Sequence, residues 1–102
     1  MENGLPEYVD REELSQILTQ QSAILPAQEA LWWRDHRVEP FAARFEDRWH
    51  YVVARGADRV LFFADDEDEF GVGAMASGNV LRDYGLIGDL IDAVRWFLAR
   101  PA

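Results

Sequence analysis

Between Pro40 and Met75 the apolar residues recur with a period of two, and they do so on both faces of each segment. In residues 49–54, Trp49, Tyr51 and Val53 point one way while His50, Val52 and Ala54 point the other. In Val60–Ala64, Val60, Phe62 and Ala64 oppose Leu61 and Phe63. A strand with one face in water alternates apolar with polar side chains, so these strands need cover on both sides. Helices, another copy of the chain, or a partner must supply the second cover.

The strands sit at 41–45, 49–54, 60–64 and 70–75. The turn Glu46-Asp47 closes the first, and Arg55-Gly56-Ala57-Asp58 links the second to the third with Gly56 available for a positive φ. Gly71 and Gly73 mark a bend or bulge in the fourth. Connections this short make neighbours antiparallel. Ahead of the strands, Asp10 is placed to cap a helix whose stripe is Leu14, Ile17 and Leu18 and which ends at 20–22. Pro26 opens a second helical piece, although Trp32-Trp33 fits a strand start equally well. Residues 77–88 read as turn-rich. Asp89 caps a helix over 90–99 with Leu90, Ile91, Val94, Phe97 and Leu98 on one stripe, Trp96 roughly opposite, and Pro101 as its stop. The expectation is a single α+β domain over residues 1–102. It has a four- to five-stranded antiparallel sheet, an N-terminal helical segment and a C-terminal amphipathic helix.

Charge narrows the partners. The chain carries 19 acidic against 10 basic residues, a net −9, which repels nucleic acid and anionic membranes and attracts basic proteins. All ten basic residues are arginine, as coding bias in a GC-rich genome would give. Cysteine is absent, which removes disulfides, thiolate metal sites and thiol nucleophiles. The start lacks the basic and apolar stretches of a secretory signal, and no apolar run reaches the ~18 residues of a transmembrane helix. The expected compartment is the cytoplasm.

The densest charge is Asp65-Asp66-Glu67-Asp68-Glu69, directly behind Val60-Leu61-Phe62-Phe63-Ala64 and ahead of Phe70. As a calcium loop it fails: Phe70 stands where a glycine is needed and Ala76 where a glutamate is needed. Adjacent solvated carboxylates also lack the differing environments that separate an acid from a base. His36 and His50 have no zinc spacing, and His50 reads as a core histidine. No serine sits in an elbow motif, and Gly71-Val72-Gly73 lacks the rest of a phosphate loop. Two readings of the acidic run stay open: a solvated turn that aids solubility, and a docking surface for a basic protein. In the second, Phe70 and Tyr84 are the nearby apolar anchors. Trp96 is a further anchor, as is whichever of Trp32 and Trp33 is left exposed, since adjacent residues cannot share one face.

Residues 57–66, then Gly71-Val72-Gly73 and the terminal Trp96-Phe97-Leu98, resemble the small immunity proteins of bacterial polymorphic toxin systems. The likeness is to the group that includes partners of secreted deaminase toxins. The resemblance implies no catalysis and no cofactor. The chain would bind a cognate toxin in the producing cell and block its active site or substrate entry. Two rivals remain: a chaperone-like adaptor that dimerises through the second apolar sheet face, and a small-ligand or enzymatic domain with a pocket between helix and sheet.

Overall fold

A computed structural model describes residues 11–64 and 67–100. Its elements are α1 (Arg11–Ala23), α2 (Ala27–His36), β1 (Arg37–Phe45), β2 (Arg48–Arg55), β3 (Val60–Ala64), β4 (Glu69–Ala76), β5 (Val80–Gly88) and α3 (Leu90–Leu98). This is the expected α+β domain with five strands. Asp10 and Pro101, expected to bound the outer helices, lie outside the described residues. Trp32 and Trp33 are helical, as Pro26 at the N-cap of α2 suggested. Among the described residues no helix is long and apolar enough to cross a membrane.

The strands run β1-β2-β3-β4-β5, each antiparallel to the next, and β5 meets β1 through one parallel bridge, Arg44 with Val80. The sheet therefore closes on itself as a barrel. Closure resolves the need for two covers. Ala43, Val52, Val60, Phe62, Ala64 and Leu81 form one cluster inside, and Leu61, Phe63, Val53 and Phe70 face the helices with Leu14, Leu18, Leu90, Ala93 and Val94. The second apolar face is rolled inward, where its side chains pack on one another.

Irregular register makes the curl. From Val52 to Ala54, β2 spends one residue more than β3, which leaves Val53 and Ala54 both on the helix side. The alternation expected for Ala54 is broken by this bulge. β5 likewise gains a residue against β4 between Arg82 and Gly85, where Asp83 takes φ 50°. That bulge is why residues 77–88 read as turns: Leu81, Tyr84 and Leu86 all line the interior although three residues separate the first two. On β4, Gly71 lies opposite Phe62, and a Cβ there would stand 2.6 Å from the ring and 2.5 Å from the Gly85 carbonyl oxygen. The ring fills the missing side chain's place. Gly56 does not adopt a positive φ; its lack of a Cβ admits the Phe97 ring, whose Cε1 would lie 2.7 Å from such an atom.

Polar bonds tie the helices together. Asp92 accepts the backbone N–H of Asp89 at 3.0 Å, the reach-back of a capping box, while the free N–H of Leu90 donates to Gln21 Oε1 of α1 at 2.8 Å. Arg95 of α3 donates to the buried Glu29 of α2 at 2.9 Å. That hydrogen bond, with one from the glutamate's own backbone, holds the Glu29 carboxyl below the ordinary range against the opposing effect of burial. Leu90, Ala93 and Val94 are the buried residues of α3; Phe97 and Leu98 pack beside them half-exposed, and Ile91 stays outside the cluster.

Candidate acidic docking site

Two tight turns meet at one end of the barrel. Phe45 pairs with Arg48, so Glu46 and Asp47 form a two-residue turn, with Glu46 at φ 57°. Ala64 pairs with Glu69 across the β3–β4 turn, where the Glu67 N–H donates to the Ala64 carbonyl at 3.1 Å and Asp68 takes φ 56°. Aspartate tolerates that left-handed geometry better than most side chains. Arg48 Nη1 reaches across to Glu67 at 3.3 Å and joins the two turns. Phe70 pairs with Gly88, which sets Asp89 beside Glu69 at the same end. The two hairpin turns thus bring Glu46-Asp47 and Glu67-Asp68 together, and Asp89 lies on the Glu69 side of them.

Of the acidic run, Asp65 and Asp66 lie outside the described residues. Glu67 and Asp68 are exposed on the turn, and Glu69 is half-buried as the first residue of β4. Glu46 and Asp47 belong to the same surface, which reading the run alone missed. The available signal was the hairpin itself, since adjacent hairpins in a meander place alternate turns at one end. Among the described residues no group of three or more His, Asp or Glu is arranged to hold a metal ion.

Two expected anchors pack in or beside the apolar clusters. Phe70 is 1% exposed, packed in the helix-side core with its ring 5.0 Å from Phe63, so it offers nothing to a partner. The alternation of β4 turns it toward the helices. Tyr84 is half-buried in the barrel interior, stacked on Phe45 at 4.2 Å and Phe62 at 5.0 Å, with the buried His50 at 5.2 Å. The bulge at Asp83 turns it inward, and His50 is the core histidine expected.

Trp96 lies apart, on α3. Its ring stands edge-on to Phe97 at 5.1 Å, and the Arg100 guanidinium covers it at 4.3 Å. Trp32 is sandwiched between His36 at 4.2 Å and Phe97 at 4.7 Å, while Trp33 is buried in the core. With Gly56, Ala57 and Asp58, the rings of Trp32, His36, Trp96 and Phe97 line a groove of about 470 Å³. Both faces of Trp32 and one of Trp96 are already occupied by the protein's own groups.

No protein-family model, no curated protein and no solved structure matches this chain.

Proposed function

We propose that this domain is a non-catalytic inhibitor, an immunity protein that binds a cognate bacterial toxin in the cytoplasm of the producing cell. Its acidic end would occlude a basic active-site cleft. The observation that carries this reading is the meeting of the Glu46-Asp47 and Glu67-Asp68 turns at one end of the barrel, with Asp89 following the β5 residue that pairs with Phe70. The net charge of −9 supports it, because a field of that sign accelerates encounter with a basic cleft. Toxins that act on nucleic acids or nucleotides need basic substrate clefts, and clustered carboxylates imitate the substrate's charge. The aromatic groove supports a second, small-ligand reading less well, since its rings are stacked on one another.

The test replaces Glu46, Asp47, Asp65, Asp66, Glu67, Asp68 and Glu69 by their amides. Size is kept and only charge is removed, so the fold should survive; exposed substitutions usually stay within about 0.5 kcal/mol each. The wild type should co-purify with a basic protein encoded beside it and protect the cell from that protein's toxicity. The amide variant should bind more slowly, with much of its salt dependence gone. Equal affinity and equal salt dependence for both would sink the docking role.

A further inference from the structure

A second groove lies between α1 and the start of β1, away from the acidic turns at the other end of that strand. It holds about 380 Å³, within the size range of small-molecule sites. Buried Leu14 and Leu18 give it an apolar floor. One wall is the face of α1 that carries Glu12, Ser15 and Thr19, which fall within about 60° of one another around the helix. The other wall is β1, through Arg37, Glu39 and Pro40. Arg11 crosses between the walls, donating to the Pro40 carbonyl at 2.7 Å and to Glu39 at 3.2 Å, so Arg11 and Glu39 neutralise each other.

Two charges of the groove are left over. Arg37 is exposed, its guanidinium resting 5.5 Å from the ring of the buried Trp33, and it pairs with no carboxylate among the described residues. Glu12 is exposed and makes no ion pair among them either. The two stand toward opposite ends. Arg11, next to Glu12, is pinned to Glu39 and Pro40, and β1 runs back from there to Arg37 over about 7–10 Å. Along α1 the same direction leads from Glu12 to Thr19, about 10 Å on. Ser22 donates its hydroxyl to the Thr19 carbonyl at 3.3 Å, whereas the Ser15 and Thr19 hydroxyls have no acceptor among the described residues.

We propose that this groove binds a small zwitterion with a carboxylate at one end, an ammonium at the other and an apolar body between. Arg37 and the hydroxyls of Ser15 and Thr19 donate to the carboxylate, Glu12 accepts from the ammonium, and the body lies over Leu14 and Leu18. A plain anion meets the like charge of Glu12, and a plain cation meets that of Arg37, so neither satisfies both ends. An α-amino acid carries its two charges side by side and reaches one end only. A linear ω-amino acid and a dipeptide with free ends both have the required separation. This site is independent of the docking reading above.

Amide chemical shifts of the whole chain, followed by NMR as ω-aminohexanoate is titrated to millimolar concentration, test the site. Amides of 12–19 and 37–39 should shift saturably. Hexanoate and hexylammonium, each lacking one charge, should bind about fivefold more weakly, as the loss of one exposed ion pair allows. Arg37→Gln should weaken ω-aminohexanoate about fivefold without weakening hexylammonium, and Glu12→Gln should do the same without weakening hexanoate. Leucyl-leucine is the second arm: tighter binding than ω-aminohexanoate supports the site and assigns it to dipeptides, and the reverse supports it and assigns linear amino acids. No saturable shift with either compound would overturn the proposal. So would binding of hexanoate or hexylammonium as tight as that of ω-aminohexanoate, since one end would then be idle. Shifts confined to residues 46–48 and 67–69 would also overturn it, because the ammonium alone would be held, at the acidic turns.

Discussion

The barrel interior and the helix-covered face are both apolar, yet they are filled by different means. Inside, a few large rings do the work: Phe62, His50, Tyr84 and Phe45 stack within 4.2–5.3 Å, and Phe62 fills the space Gly71 leaves open. On the helix side, Trp33, Phe63 and Phe70 share the space with leucines, valines and alanines drawn from three helices and the sheet, and polar bonds from Gln21 and Arg95 fix the helices. A ring seated in a glycine gap within a closed barrel has few alternative arrangements, whereas helices packed on the outside of a sheet can shift to absorb a change. The interior should therefore be the brittle half and the helix layer the tolerant one.

Phe62→Ala tests the brittle half hardest. It should cost about 3–5 kcal/mol, as loss of a buried ring does, read as a fall in denaturant midpoint. Gly71→Ala should cost about 1–3 kcal/mol by overpacking, since the Gly85 carbonyl is backbone and yields little. The pair should be non-additive by at least about 0.5 kcal/mol, because removing the ring relieves one of the two clashes. Strict additivity would mean that ring and gap are not one unit, and the contrast between the two halves would weaken.

On the tolerant half, Gln21→Ala removes the acceptor of the Leu90 N–H and should cost about 1 kcal/mol, the usual worth of a helix cap. A loss as large as that of Phe62→Ala would show the helix layer to be equally brittle. Glu29 gives a pH signature instead. Its folded carboxyl is more acidic than in the unfolded chain because Arg95 donates to it, so the folded state holds this proton less tightly. The contribution is complete above the ordinary glutamate value of 4.5 and is lost as pH falls through the lowered folded value. Glu29→Gln should flatten that acid limb while leaving the slope near neutrality unchanged. The smallest effect belongs to Glu67→Gln, which breaks only the exposed pair with Arg48 and should move stability by less than about 0.5 kcal/mol.

Much of this architecture could be read in advance, and the reason is periodicity. Val60–Ala64 keeps strict alternation and a regular register with β4, and its bounds come out as read. α3 is marked by Asp89 and its stripe. Where alternation fails, so does the reading: β5 carries an extra residue at the Asp83 bulge, and Ala54 follows another. Closure was equally hidden, since nothing in a single segment says that a sheet will meet its own first strand. Among the anchors, Phe70 is buried and Tyr84 half-buried, because nearness in sequence to the acidic run does not give a side chain's direction. The convergence of Glu46-Asp47 with Glu67 depends on a contact between hairpins.

The bond from Leu90 to Gln21 also has a temporal side. Every strand pairs with its sequence neighbour, so the meander can zip hairpin by hairpin through short loops. The first and last helices, by contrast, are joined across 69 positions of chain. During synthesis the strands leave the ribosome before α3 does, and until then Leu61, Phe63 and Phe70 lack one of the helices that cover them. Completion of the helix layer is the late step, so substitutions in α3 should speed unfolding more than they slow folding. This part of the nascent chain is thus most exposed to aggregation just before the nine residues of α3 arrive.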